Sequence, residues 1–167
     1  MEGADLGLLA IRGVVGVVMV AHGCNHVVGD GGIDGTARWF AGLGMRPARL
    51  HAWLASLTEI GAGVLLLLGL LTPLAGAAVV GIMLVAGITN HRGNGFFIFR
   101  PGEGWEYVLT LGGVGLGLGV TGAGALSLDH LLGMDLAGWV GLGVVLVAGA
   151  GGAALLLLLC WRPTGED

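Results

Sequence analysis

The chain has 167 residues, of which 55% are hydrophobic and only 11% are charged, and its mean hydropathy is +0.91. A soluble domain of this length needs a more polar surface than such a composition can supply, which excludes a soluble globular protein and indicates lipid as the solvent. The formal net charge of -4 argues against a nucleic-acid partner, and the two cysteines are too few for a disulfide framework.

Five apolar runs follow one another along the chain, and each approaches the ~20 residues that a helix needs to cross the hydrocarbon core. Since a segment in lipid must satisfy its own backbone hydrogen bonds, these runs are expected to be helices and not strands. The sequence therefore predicts an all-α membrane protein, with a four-helix transmembrane bundle and a fifth, C-terminal transmembrane helix. The runs are Leu6–Val28, Leu50–Leu71, Pro73–Asn90, Tyr107–Leu128 and Leu136–Cys160.

The connections between the runs carry recognisable local signals. The long first connection contains Thr36–Leu43, a short amphipathic helix whose Trp39 and Phe40 suit the membrane interface. The sequence LLTP at Leu70–Pro73 predicts a tight hairpin between the second and third helices, because proline cannot continue a helix. In the fourth run, small residues four apart predict close helix packing. They form two pairs, Gly113 with Gly117 and Gly115 with Gly119.

Arginine, the only basic residue type besides histidine, is concentrated on one side of the predicted bundle. Five crossings place the first and third loops, residues 29–49 and 91–106, on the same side as the C-terminus. By the positive-inside rule this indicates cytoplasmic loops in a multi-pass protein of the cell membrane, surrounded by membrane lipid. The arginines on that side are Arg38, Arg46, Arg49, Arg92, Arg100 and Arg162.

Two charged residues, Arg12 and Glu59, fall inside apolar runs, where a charge at the bilayer centre costs ~2.5–3.5 kcal/mol on insertion scales. Such side chains must face the bundle interior and find partners. The first interpretation is a functional site in which Glu59 donates or relays protons. The alternative is structural: an ion pair between Arg12 and Glu59, or an Arg12 side chain that extends to the nearby interface.

Histidines add to a polar layer near one end of the bundle. His22 and His26 are four residues apart and share one face at the end of the first helix. Antiparallel helices bring that face to the same membrane side as His91 and Glu106, with Glu59 close by. Two histidines at this spacing plus a third ligand can hold a metal ion or a haem. Because histidines at helix ends are more often interfacial, neither a metal ion nor a haem is expected.

The segment HRGNGFFIFRPGEGWEY, residues 91–107, is the longest polar interruption between two apolar runs. Gly93, Asn94 and Gly95 form a turn, and the aromatic pair that follows can return to the membrane interface. Two interpretations stay open. The segment is either a folded lid over the layer of histidine and glutamate side chains or a simple turn at the interface.

Several short motifs resemble the DoxX family of small membrane proteins, over roughly residues 6–130. The Glu-bearing second helix with its Leu-Thr turn and the sequence HRGNGFF are similar to the pattern of that family. The motifs are IRGVVGVVMVAHG (residues 11–23), TEIGAGVLLLLGLLTPLA (58–75), HRGNGFF (91–97), WEYVLTL (105–111) and LSLD (126–129).

The resemblance implies a four-helix membrane bundle, residues 1–130, that is tied to redox work, with residues 131–167 as an extra helix and a short polar tail. Related proteins include a subunit of thiosulfate:quinone oxidoreductase, and others associate with thiol-redox proteins. The extra helix can dock a partner, and His26 stands where family members often have a basic residue. The positions carried over are Arg12, His22, Glu59, His91, Asn94 and Glu106.

The first functional hypothesis is therefore a membrane subunit that binds a quinone, or a similar isoprenoid, among its helices. Glu59, His91 and Glu106 are the expected catalytic groups, because they can move protons or donate a hydrogen bond to a carbonyl. The expected contacts to the cofactor come from Arg12, His22 and Asn94. Since the chain lacks a flavin fingerprint or a cysteine pair for electron transfer, electrons require a redox or complex-forming partner subunit.

Two further hypotheses belong to other classes. In the second, the chain is a non-catalytic membrane anchor or assembly subunit, its polar groups hold the bundle together, and its loops and extra helix dock partners. In the third, it is a small proton-coupled transporter, suggested by Arg12 and Glu59 at depth. A pair of broken helices or an inverted repeat would favour the third hypothesis, and the sequence contains neither.

Overall fold

The computed structural model describes residues 3–134 and 136–163, and within them the regular structure is helical. The α-helices are α1 Gly3–Val28, α2 Gly32–Gly42, α3 Ala48–Leu68, α4 Thr72–Ala86, α5 Glu106–Thr121, α6 Leu128–Leu131, α7 Gly138–Val144 and α8 Gly152–Cys160. The π-helical segment Gly87–His91 continues α4, and a second π-helical segment, Val145–Gly151, joins α7 to α8. The continuous helix Gly138–Cys160 that results from this connection is called the C-terminal helix below.

Four helices in the described residues are long and apolar enough to cross a membrane, and α5 is a shorter apolar helix. The longest two are Gly3–Val28, with 26 residues, and the C-terminal helix, with 23 residues. The prediction of an all-α membrane protein with an additional C-terminal helix is confirmed. The division of the chain at residue 130 stays a prediction, although the C-terminal helix packs along α4 and α5.

The fourth helix is shorter than the apolar run that predicted it. Helix α5 ends at Thr121 and not at Leu128, because Gly122 leaves the helical region with a φ of 76° and a ψ of -171°. The extended segment that follows is bound to α1, where the Asp5 carboxylate accepts a hydrogen bond from the Ala125 amide at 2.9 Å. Apolar composition alone did not mark this end, since the segment after Thr121 is also apolar.

The predicted hairpin between α3 and α4 is present. Gly69, with a φ of 61°, ends α3 in the left-handed conformation that glycine adopts without steric cost. Pro73 lies in the first turn of α4, where its missing amide proton costs no helical hydrogen bond. The Asp129 carboxylate accepts hydrogen bonds from the amides of Leu71 at 2.7 Å and Thr72 at 2.9 Å, so it satisfies free donors at the start of α4.

Glycines bring α1 and α3 into backbone contact. A Cβ atom added at Gly16 would lie 2.9 Å from the carbonyl oxygen of Gly63, and one added at Gly63 would lie 2.6 Å from the carbonyl oxygen of Gly16. Closer to the ends of the two helices, a Cβ added at Gly23 would lie 2.7 Å from the Ser56 carbonyl oxygen. The two helices therefore approach as closely as their backbones allow, as small residues permit in membrane helices.

Only one of the two predicted glycine pairs in α5 serves helix packing. Gly115 faces Val79 of α4, and Gly119 faces Val145 of the C-terminal helix. Gly113 and Gly117 have no atom within 4 Å of an added Cβ, so they face away from the described helices. The prediction of close helix packing from glycines four residues apart was correct for Gly115 and Gly119. The spacing alone could not show which of the two overlapping pairs faces the neighbouring helices.

The C-terminal helix is tied to the loop after α2. The indole Nε1 of Trp161 donates a hydrogen bond to the Leu43 carbonyl at 2.8 Å, and the Arg46 amide donates to the Cys160 carbonyl at 2.9 Å. The Arg92 guanidinium lies 5.6 Å from the centroid of the Trp161 ring. The first loop, the third loop and the C-terminus therefore lie at one end of the bundle, called the arginine end below.

Candidate functional site

A cavity of about 270 Å³ lies between the helices toward the arginine end. This volume is near the lower end of the ~300–1,000 Å³ range that is usual for small-molecule sites. The four long helices, α5 and α2 contribute to its wall, which is mostly apolar. The ionisable side chains that line it are His22, His26, His51, Glu59, His91 and Tyr107.

Glu59 is the buried charge at the centre of this cavity. It lies in the middle of α3, where only 5% of its surface is exposed. Its Oε2 atom lies 3.2 Å from Nε2 of His26, but the two groups lack the alignment of a hydrogen bond. Within the described part of the chain, Oε2 is a buried acceptor without a hydrogen-bond partner. Such an atom is costly to bury, so it is a strong indication of a binding site.

His26 is held beside Glu59 by aromatic side chains of α2. Its ring is stacked on Trp39, with the ring centroids 6.1 Å apart, and it meets Phe40 edge-on at 6.2 Å. The close approach of α1 to α3 at Gly23 brings this last turn of α1 within reach of the carboxylate. The sequence could not establish a role for His26, and the structure places its Nε2 atom 3.2 Å from the Oε2 atom of Glu59.

His91 and Tyr107 form a hydrogen-bonded pair on another part of the wall. The His91 ring approaches the Glu103 carbonyl oxygen through Nδ1 at 2.8 Å. Because a carbonyl only accepts, Nδ1 carries the proton, and in the neutral ring Nε2 is an acceptor. The Tyr107 hydroxyl lies 3.2 Å from Nε2 and can donate to it. The Tyr107 ring is stacked on His22 at 6.3 Å, and His22 itself is exposed at the surface.

The π-helical end of α4 explains why consecutive side chains reach the cavity. Thr89, Asn90 and His91 all line it. Three consecutive positions of a regular α-helix point in widely different directions. The wider π-helical turn changes this register, and such turns are frequent at functional sites.

His51 and Tyr107 also line the cavity, but the sequence interpretation did not assign them to the site. His51 lies in the first turn of α3 and approaches the Arg46 carbonyl through Nε2 at 3.2 Å, while its buried Nδ1 has no partner in the described residues. One signal was available: His51, Ala55 and Glu59 are spaced by four residues and so share one helix face. Tyr107 carried no comparable signal, because it stands at the start of its helix.

The structure separates Arg12 from the cavity. Arg12 is 1% exposed and lies at the opposite end of α1 from His26. Its guanidinium donates hydrogen bonds to the carbonyls of Leu66 and Leu67, both at 2.8 Å, and to the carbonyl of Leu126. The ion pair between Arg12 and Glu59, one of the structural alternatives, is therefore absent among the described contacts. Arg12 instead joins the end of α3 to the segment after α5.

Asn94 and Glu106 also lie outside the cavity wall. The Asn94 amide donates to the carbonyls of Asn90 at 3.0 Å and Glu103 at 3.2 Å, which holds the third loop in a compact fold. The Glu106 carboxylate accepts a hydrogen bond from the Ile98 amide at 3.2 Å. The structure thus places both side chains in the scaffold of the loop. Of the six predicted site residues, it brings together His22, Glu59 and His91 at the cavity.

The covering of the cavity comes from a different segment than expected. The loop between α4 and α5 contributes none of its own residues to the wall, which contains only the flanking His91 and Tyr107. Helix α2 contributes Trp39 and Phe40, and Leu43 follows directly after it. The amphipathic helix predicted at the interface therefore covers the cavity, a position that the sequence suggested for the third loop.

Residues 3–134 and 136–163 contain no group of three or more His, Cys, Asp or Glu side chains arranged to hold a metal ion. Residues 7–92 match the family model described as DoxX. No curated protein and no solved structure matches the chain. The matched residues run from α1 to the start of the third loop and include His22, His26, Glu59 and His91.

Proposed function

Because the chain belongs to the DoxX family of membrane proteins, we propose that it is a membrane subunit of a redox system and binds the head of a quinone, or of a similar isoprenoid, beside Glu59. The observation that carries this proposal is the buried Oε2 atom of Glu59, which lacks a hydrogen-bond partner in the described residues and belongs to a side chain lining the cavity. A charged group at this depth is expensive, and a ligand contact offsets the cost.

The chemistry of the wall fits such a head group. A quinone head presents carbonyl oxygens when oxidised and hydroxyl groups when reduced, so its site needs both donors and acceptors. The Glu59 carboxylate accepts, the neighbouring His26 ring can donate, and Tyr107 carries a hydroxyl that does either. Met19, Ile82 and Leu111 add apolar surface suited to a ring. The volume of about 270 Å³ admits a small ring system.

When bound, the quinone would take up two electrons from a partner redox subunit together with two protons. Glu59 and His26 are the proposed proton-holding pair, since Oε2 and Nε2 lie 3.2 Å apart. The second proposed pair is Tyr107 and His91, in which Nε2 of His91 accepts from the tyrosine hydroxyl. The Glu103 carbonyl orients His91 by fixing the proton on Nδ1. In this proposal, Arg12, Asn94 and Glu106 support the fold.

The proposal is tested on protein purified from its own membranes in a mild detergent. Native mass spectrometry is expected to show one quinone for each chain, released and identified by fragmentation. A preparation that contains only phospholipid, and that binds no added ubiquinone or menaquinone with a micromolar Kd, contradicts the proposal. If a protein subunit also co-purifies in that case, the result favours the alternative of a non-catalytic anchor or assembly subunit.

A further inference from the structure

The cavity opens to the surface between two helices that face lipid. Leu54 of α3 lines the cavity and is 44% exposed, and Ala148 and Gly152 of the C-terminal helix line it and are also exposed. Both helices pack against α4, whose Gly81 forms part of the floor between them. The gap thus leads from the cavity to the outer surface of the bundle between α3 and the C-terminal helix, two of the helices long and apolar enough to cross a membrane.

Small residues keep this gap open. The C-terminal helix contributes Ala148, Gly149, Gly152, Ala153 and Leu156 to the wall, and of these Gly149 is packed against the α4 backbone, where an added Cβ would lie 2.6 Å from the Ala77 carbonyl oxygen. A Cβ atom added at Gly152 would meet no atom within 4 Å. The part of the cavity beside the C-terminal helix is therefore lined by apolar residues, while the polar side chains come from the other helices.

A polar inner part and an apolar outer part match a ligand that has a compact polar head and an apolar tail. The volume of about 270 Å³ cannot enclose both the ring and a long isoprenoid chain. The tail must leave the cavity, and the gap beside Gly152 leads directly into lipid. On the other side of the cavity, between α1 and α5, the exposed His22 and the half-buried Tyr107 make a polar surface that suits an isoprenoid tail poorly.

We infer that the isoprenoid tail passes between α3 and the C-terminal helix, and that Gly152 determines which tails are accepted. This inference rests on the quinone site proposed above and adds the route and the determinant of tail specificity. It assigns the C-terminal helix to the binding site itself, whereas the sequence suggested docking of a partner. The residues that the C-terminal helix contributes to this wall lie outside the matched range 7–92, so the family match does not account for them.

The test compares Gly152→Phe with Gly143→Phe in lipid nanodiscs. Gly143 lies in the same helix, is exposed, has no atom within 4 Å of an added Cβ and does not line the cavity. Dissociation constants are measured for a decyl-substituted benzoquinone and for the same head without a tail. Gly152→Phe is expected to weaken binding of the tailed ligand at least tenfold while changing the tail-free ligand less than threefold. Gly143→Phe is expected to change neither.

Each other outcome overturns the inference. Equal weakening of both ligands by Gly152→Phe would show a general defect of the site, and no weakening would show that the tail takes another path. A selective loss of the tailed ligand in Leu111→Trp, and not in Gly152→Phe, would place the path between α1 and α5. These results leave the proposed quinone site intact. If the unmodified protein binds neither ligand, both the proposed function and this inference fail.

Discussion

The Nε2 atom of His26 lies 3.2 Å from the Oε2 atom of Glu59, and this pair joins the end of α1 to the middle of α3 inside the cavity. One alternative interpretation of the sequence paired Arg12 with Glu59. The structure gives Arg12 three backbone carbonyls at the far end of α1 and places a histidine, not an arginine, beside Glu59. A pair of this kind suits proton transfer better than a permanent ion pair does.

The first prediction separates the two glutamates that the sequence treated alike. Glu59→Gln is expected to weaken quinone binding at least tenfold, because the amide cannot ionise and presents N–H donors where a carboxylate accepts. Glu106→Gln, which alters a side chain outside the cavity wall, is expected to change the Kd less than twofold. Titration of both purified variants with a short-chain quinone gives the comparison. Equal losses in both variants would contradict the assignment of the site to the cavity.

Arg12→Met is predicted to reduce stability and not ligand binding. The change leaves the carbonyls of Leu66, Leu67 and Leu126 without their charged donor, and hydrogen bonds to charged groups contribute ~1.5–3 kcal/mol each before the desolvation of the guanidinium is subtracted. A net loss of about 2 kcal/mol corresponds to a melting temperature lowered by roughly 4–8 °C. Thermal unfolding in detergent measures this shift, with exposed Arg100→Met as the control. A weakened quinone Kd without a lower melting temperature would restore Arg12 to the binding site.

The contact between α1 and α3 predicts that replacing two different glycines of α3 by alanine changes thermal stability in opposite directions. Gly63→Ala places a Cβ 2.6 Å from the Gly16 carbonyl oxygen, so the helices must separate and unfolding is expected at a temperature several degrees lower. Gly61→Ala meets no atom within 4 Å and gains the ~0.5–1 kcal/mol by which alanine exceeds glycine inside a helix. The two melting curves in the same detergent decide the point. Similar curves would mean that the helices do not cross at Gly63.

Trp161→Phe is predicted to loosen the connection between the C-terminal helix and the loop after α2. Phenylalanine keeps the apolar ring but lacks the Nε1–H that donates to Leu43. A hydrogen bond contributes about 1 kcal/mol net to stability, so its loss is expected to make amide exchange at residues 43–46 roughly fivefold faster. Hydrogen–deuterium exchange followed by mass spectrometry measures this rate. The matched control is Trp139→Phe, since Trp139 is 87% exposed, and equal exchange in both variants would contradict a role for the indole.

The orientation in the membrane follows from the arginine end, and we predict that this end faces the cytoplasm. With Cys24 and Cys160 replaced by serine, the exposed Arg100 is changed to cysteine. The thiol at position 100 is expected to react with a membrane-impermeant maleimide in inside-out vesicles and not in intact cells. The reverse labelling pattern would place the loops outside.

The fold class could be predicted from the sequence because a helix surrounded by lipid must be long and apolar, and the composition and length of each segment show this directly. Long apolar runs must become helices, and the proline of Leu70–Pro73 must interrupt them, whatever surrounds them. The end of α5 escaped this reasoning, since Gly122 ends the helix within a run that is still apolar and the contacts of Asp5 and Arg12 then hold the segment after Thr121 against α1. Those contacts join residues more than a hundred positions apart, which no local pattern encodes.

By itself, the sequence determined that the chain is a helical membrane protein with costly polar groups at one end, including His22, Glu59 and His91. Only the tertiary structure decided which of these groups meet. The direction of each side chain depends on helix rotation and on close backbone contacts such as Gly23 with Ser56. For this reason Glu59 faces His26, Arg12 faces the end of α3, and the C-terminal helix completes the wall of the cavity.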